Sequence, residues 1–288
     1  MTAPPSTVDA LYAPRWAGGW TLTRLLFGLA IVVGELRGVA YVVDALAAPS
    51  LVLSSGPTRI ADEVLLSPVA AWLTVAVAVG AGLGVLWGGR ATKPALLVWL
   101  VAHWVLLAGL GLSVRVPERM TLWVVVALLL GPAHERGLVN RARGPVGRWV
   151  LLLVTMSLYA STGFMKLLEE PAWQSGDALA YDLVDRHHAG GVVAAWLSGQ
   201  PWATRLLGWG TIAVETTFPF LVGFPATSPF ILAAGVAMHG TIAALMEVGG
   251  LGNVTVATYP VLLVPEVGHR TWEWARARWP ALAWFERQ

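Results

Sequence analysis

The chain contains no cysteine. Disulfides and thiolate metal sites are therefore excluded, and the redox compartment is left open. Charge is also scarce, at 12% of residues, where a soluble domain carries about 25%. Lysine is nearly missing, with Lys93 and Lys166 the two in the chain. The net charge of +2 offers no basic excess for nucleic acid, so no nucleic-acid partner is expected. Met1 to Trp20 hold proline and serine but no apolar core followed by a small-residue cleavage site. No cleaved signal peptide is expected, and the first spanning helix is expected to act as its own insertion signal. Internal repeats and low-complexity tracts are likewise missing.

What the chain has in abundance is apolar residues, 56% of the total, with a mean hydropathy of +0.65. This composition predicts an integral membrane protein, multi-pass in a cell (inner) membrane, with lipid as its standing partner. Apolar stretches long enough to cross or nearly cross a bilayer fall at Leu22–Ala47, Pro68–Trp87, Ala95–Val114, Met120–Pro132, Gly147–Leu168, Thr204–Phe224, Pro229–Val248 and Gly252–Pro265. The fold class expected is all-α, a polytopic transmembrane helical bundle of about eight spans. Basic residues cluster before the first span, after the second, after the fourth and at the C-terminus, which alternates correctly for cytoplasmic N- and C-termini. The opposite loop, Glu169 to Trp202, is acidic. Residues 1–20 read as an N-terminal cytoplasmic segment, 21–266 as the transmembrane domain and 267–288 as an amphipathic tail.

Two further segments read as interfacial. Pro171–Gln200 is too polar to span, and its patches Ala178–Tyr181 and Val192–Leu197 predict short helices at the membrane surface. The tail mixes Trp272, Trp274, Trp279 and Trp284 with Arg276, Arg278 and Arg287, as a helix lying on the cytoplasmic surface would. Trp16, Trp20 and Trp87 at span ends read as an aromatic belt.

Ionisable residues inside spans are costly and usually face the bundle interior or a wet cavity. They are Glu35, Arg37, Asp44, His103, Glu215, His239 and Lys166, with Glu247 near the end of the seventh span. Arg37, Tyr41 and Asp44 share one helical face, whereas Glu35 points elsewhere and needs its own partner. Lys166 ends the run from Val150. A lysine drawn out of water loses basicity and can act as a base near neutral pH. It can equally snorkel its ammonium to the headgroups. Tyr159, Gly163 and Lys166 share a face of the fifth span, and Gly163 admits a closely packed neighbour. Trp173 and Gly176 follow in the motif Trp173-Gln-Ser-Gly176. A second block reads Ala237-Met238-His239-Gly240-Thr241, then Gly249-Gly250-Leu251-Gly252-Asn253.

In this order and spacing, the two blocks resemble the horizontally transferred transmembrane domain family, related to vitamin K-dependent gamma-glutamyl carboxylase. The shared pattern is an aromatic, a small residue and Gly before a Lys, then Trp-x-x-Gly, and later a membrane His. The resemblance covers roughly Arg24 to Pro265. It implies that Lys166 is the base that deprotonates a quinol, with His239 at the later catalytic position. It implies Tyr159, Gly163, Trp173 and Gly176 around a reduced quinone such as vitamin K hydroquinone, and a lyase- or epoxidase-like reaction; Glu215, in another span, is expected to balance charge at that site. Where that carboxylase has an Asn-His pair before the fourth span, this chain reads Glu118-Arg119-Met120. The large lumenal portion is also not expected after Gln288. The expectation is therefore a reduced form of the chemistry, on a quinol or a small lipid-soluble substrate.

Two other readings stay open. A non-catalytic membrane protein would bind a quinone, a lipid or a partner protein, with Lys166 paired to an acid such as Asp177 or Glu215. A proton-coupled transporter would also place acids and histidines in spans, but paired broken helices in two halves are missing. Asp182, Asp185, His187 and His188 cluster loosely and read as a solvated loop, so no metal is expected.

Overall fold

The computed structural model describes residues 15–47, 68–109, 116–132, 141–142, 145–185, 191–246, 251–263 and 265–280. Its helices, in chain order, are α1 (Ala17–Ala47), α2 (Pro68–Trp87), α3 (Thr92–Gly109), α4 (Val116–Leu130) and α5 (Pro145–Leu168). Three short helices follow, α6 (Pro171–Ser175), α7 (Asp177–Asp182) and α8 (Val192–Ser198). The rest are α9 (Pro201–Leu221), α10 (Ser228–Leu245), α11 (Leu251–Leu262) and α12 (Pro265–Arg278). Strands are confined, among the described residues, to β1 (Arg15–Trp16) and β2 (Arg141–Ala142), paired antiparallel. The all-α expectation therefore holds for the described chain apart from this bridge.

Proline sets most helix starts. Pro68, Pro145, Pro171, Pro201 and Pro265 open α2, α5, α6, α9 and α12, and Pro117 and Pro229 are second in α4 and α10. The first turn of a helix has no use for its amide hydrogens, so a residue without one fits there at no cost. Hydropathy alone starts several spans late, because it begins at the first apolar residue rather than at this cap. It also places a boundary after residue 20, inside α1. Trp20 is no belt residue: it is 3% exposed and sits against Gly131 and Gly147, where a Cβ would collide with its ring. Trp87, by contrast, is 75% exposed.

Three described helices are long and apolar enough to cross a membrane: α2, the Val146–Leu168 part of α5, and α10. Their outer faces are apolar, as Leu73, Leu153 and Phe230 show at 61%, 61% and 76% exposure. Contiguous exposed apolar surface on this scale is built for lipid rather than water. The protein is thus a helical membrane protein. The longer α1 carries Arg24, Glu35, Arg37 and Asp44, and α9 carries Arg205 and Glu215. At 12 residues, α11 extends only about 18 Å. It is enclosed instead, packing on α1, α4, α5 and α10, with Val254, Thr258, Tyr259 and Leu262 buried.

Two buried arginines hold helix ends. Arg24 of α1 donates to the carbonyls of Val85 and Leu86 at the end of α2, at 2.6 and 2.5 Å. Arg148 of α5 donates to those of Val261 and Leu262 at the end of α11, at 3.1 and 3.4 Å. The last carbonyls of a helix lack partners along the chain and carry its negative dipole end, so a guanidinium satisfies both needs. These contacts lock α1 to α2 and α5 to α11, and so fix the frame in which the polar interior is placed.

Candidate functional site

On α5, Tyr159, Gly163 and Lys166 lie on the face turned toward α9 and the core. Gly163 is where the two helices touch. A Cβ there would sit 2.7 Å from the amide nitrogen of Thr216 and 2.8 Å from the Glu215 backbone. That approach sets Glu215 beside Lys166. The Lys166 ammonium donates to both Glu215 carboxylate oxygens at 2.7 Å, and the two side chains are only 12% and 9% exposed. The Trp173 ring covers the ammonium, with Nζ 4.6 Å from its centroid. A cation over an indole face gains further attraction where water is excluded.

Trp173 is held in place by its own segment. Gln174 donates to the Leu167 carbonyl at 2.7 Å, tying α6 to the end of α5. Gly208 of α9 leaves room for the Trp173 carbonyl. Gly176 turns the chain from α6 into α7 with φ at 89° and lies against the backbone of Thr204 and Arg205. A side chain at that φ is strained, and this position also has no space for one. The Trp-x-x-Gly motif is thus the cover of the ion pair.

One helical turn and more below, a second group forms. The Tyr159 hydroxyl shares a 2.6 Å hydrogen bond with Nε2 of His239 on α10 and a short one with the Tyr259 hydroxyl on α11. The Tyr159 ring packs on Phe218, centroids 4.3 Å apart. Gly235 opens the wall of α10 for the Tyr259 hydroxyl. Three helices therefore meet at one phenol. Lys166 lies within electrostatic range of His239, and Glu215 of Tyr159 and Tyr259, so the two groups belong to one polar interior.

His239 is buried, at 8% exposure, yet forms part of a groove wall. A groove of about 390 Å³ runs between α1, α10 and α11, and its walls include Leu26, Leu29, Val33, Arg37, His239 and Asn253. The Nδ1 edge of His239 faces Gly252, where a Cβ would lie 3.4 Å from it. Lys166 and Glu215 are not in those walls. An apolar chamber of about 410 Å³ lies on the other side of α10, below α7, walled by Leu179, Leu183, Val214 and Met238.

The seven expected site residues thus resolve into parts with different work. Lys166, Glu215 and Trp173 form a covered ion pair; Gly163 and Gly176 permit the approaches that build it. Tyr159 and His239 form a hydrogen-bonded hub, of which His239 lines the groove. Tyr259 was not anticipated, because a tyrosine in a short apolar helix gives no periodic signal. Asn253, noted in the second motif, stands at the groove wall. Glu35 has found its own partners across the bundle. It accepts from the Trp99 indole at 3.0 Å and pairs with Nδ1 of His103 at 2.9 Å, and the two rings stack at 4.8 Å. The Tyr41 and Asp44 side chains lie outside what is described, as do His187 and His188. Among the described residues no three His, Cys, Asp or Glu side chains converge as a metal set would.

Compared with known proteins, the chain matches no family model, no curated protein and no solved structure.

Proposed function

We propose that this is a multi-pass protein of the cell inner membrane that binds a lipid-soluble hydroxylic compound, of the reduced-quinone kind, in the groove beside His239 and draws a proton from it. The observation that carries this reading is the position of His239. One ring nitrogen engages the Tyr159–Tyr259 pair at 2.6 Å and the other edge lies at the groove. A histidine so placed can accept a proton on its groove side while Nε2–H donates to the Tyr159 hydroxyl behind it. The groove fits the compound: its floor is aliphatic, its volume falls in the usual range for small ligands, and polar groups are few and gathered. A reduced quinone would supply the acidic hydroxyl.

In this reading Lys166 acts behind His239. Its ammonium, neutralised by Glu215 and shielded by Trp173, fixes the charge of the interior against which the histidine works. The likeness to the membrane domain of vitamin K-dependent carboxylases, in which the matching lysine is the base itself, makes the direct role of Lys166 the variant to test beside it. The eight-span arrangement with both termini in the cytoplasm belongs to the same proposal. It is supported by the β1–β2 bridge and by the contact of α12 with β1 and α1, which bring Arg15–Trp16, Arg141–Ala142 and α12 together.

The test adds a reduced naphthoquinone to the protein in lipid nanodiscs and follows oxygen uptake and epoxide formation. Wild type is expected to be active, Tyr159→Phe slowed and His239→Ala inactive. Equal rates in wild type and His239→Ala overturn the assignment, and loss only in Lys166→Ala transfers the base to the lysine. A second reading is favoured by the two-oxygen grip of Glu215 on Lys166: the pair is structural and the protein binds its lipid-soluble ligand without reaction. Tight binding of the naphthoquinone with no turnover in any variant selects it.

A further inference from the structure

The groove is unequal along its length. Leu26, Leu29, Ala30, Val33 and Arg37 recur at the spacing of one helical face, so α1 presents an aliphatic strip that ends in a guanidinium. Among the described residues, Arg37 is the one charged side chain that is always a cation in those walls, and no acidic side chain lines them. Glu35, two residues away, leaves the helix on nearly the opposite side and is engaged by Trp99 and His103. Among the described residues Arg37 has no hydrogen-bonding or ion-pairing partner. A guanidinium keeps its proton under any condition the protein meets. Exposed at the end of an apolar wall, it presents its charge to whatever occupies the groove. The amide of Asn253 adds a donor at the same groove.

We propose that Arg37 is the head-group anchor of the groove, and that the ligand is an amphiphile with one apolar chain whose head bears a negative charge when bound. The volume of about 390 Å³ is near the lower end for small-molecule sites, which suits a head and a single chain rather than a two-chain phospholipid. The inference rests on the preceding reading of the groove as the ligand site and names the class of ligand. For a quinol, Arg37 receives the oxyanion left when His239 takes the proton. Arg37 is then a positioning residue that makes the acidic hydroxyl easier to ionise.

Two naphthoquinones with the same alkyl chain separate charge from shape. The 2-hydroxy compound is an anion at neutral pH; its 2-methoxy ether is neutral. Binding to the full chain in nanodiscs is read by ligand absorbance and by competition with palmitate and with phosphatidylglycerol. Wild type is expected to prefer the anion by about tenfold to a hundredfold, the range of one charge-assisted hydrogen bond. Arg37→Gln should erase that preference while leaving the ether's affinity unchanged, and Arg37→Lys should keep part of it. An equal preference in wild type and Arg37→Gln overturns the anchor but leaves the quinone site standing. Direct binding of labelled palmitate, lost in Arg37→Gln, with neither naphthoquinone bound keeps the anionic anchor and removes the quinone reading. Displacement by phosphatidylglycerol alone overturns the single-chain ligand. Arg37 is exposed in the groove wall, so its variants should fold, and an unchanged melting temperature checks this.

Discussion

Lys166 and Glu215 are worth more to each other than to the fold. Each is nearly withdrawn from solvent, so removing one strands the other's charge. Glu215→Gln is expected to destabilise by about 3–5 kcal/mol, the cost of orphaning a buried ion. Replacing both, as Lys166→Met with Glu215→Leu, should return most of that loss, because an apolar pair of similar volume needs no desolvation. Thermal unfolding in detergent of the two variants against wild type reads the difference. An unaltered melting temperature in Glu215→Gln means the ammonium has another anion, and a double variant as weak as the single one means the pair is not the unit. The ion pair was open in the sequence only as one of several choices. Lys166 stands out because lysine is so rare, but its partner lies 49 residues away, and no periodicity joins residues on different helices. Tyr159 and His239 were legible as polar residues in apolar runs. Tyr259 was not, since tyrosine at a helix end usually reads as an interfacial anchor.

Several elements meet here through glycine and arginine as well as through large side chains. The α5–α9 crossing depends on Gly163, where the neighbouring backbone occupies the place of a side chain. Gly34 on α1 faces open space. Gly163→Ala should therefore cost about 1–3 kcal/mol by forcing the helices apart. It should also weaken the Lys166–Glu215 contact that the crossing delivers. Gly34→Ala should be neutral or slightly stabilising, since alanine is the better helix former by about 1 kcal/mol. Melting temperatures of the two variants, measured side by side, decide whether the crossing is as tight as drawn; equal values refute it. The sequence announced Gly163 as a contact glycine, because a small residue one turn from a membrane lysine has few other uses. It announced Arg24 and Arg148 only as markers of orientation. Their grip on the ends of α2 and α11 needs the tertiary frame, since the carbonyls they cap belong to helices 61 and 113 residues away.

At the scale of the whole molecule, the helical class was plain from composition, while the number of crossings was not. Length and hydropathy admit α2, α5 and α10 directly. Among the described residues the other candidates stand apart for physical reasons: α1 and α9 carry charges, α4 and α11 have few residues, and α3 is described only as far as Gly109. Burial compensates for these features, because a charge paired inside the bundle, or a short helix wrapped by others, does not face lipid. Orientation can be tested on the feature the chain lacks. With no cysteine in the sequence, a single introduced thiol is the only labelling site. Glu169 and Arg278 are both exposed, the first just past α5 and the second at the end of α12. At 24 residues, α5 extends about 36 Å, enough to carry the chain from the side of β2 across a hydrocarbon core of about 30 Å. If α12 shares the β1–β2 side, the two positions lie on opposite faces. Glu169→Cys should then react with a membrane-impermeant maleimide in intact spheroplasts, and Arg278→Cys only after permeabilisation. Labelling of Arg278→Cys without permeabilisation, with Glu169→Cys protected, inverts the protein; labelling of both on the same side removes the odd number of crossings between them, and with it the eight-span arrangement.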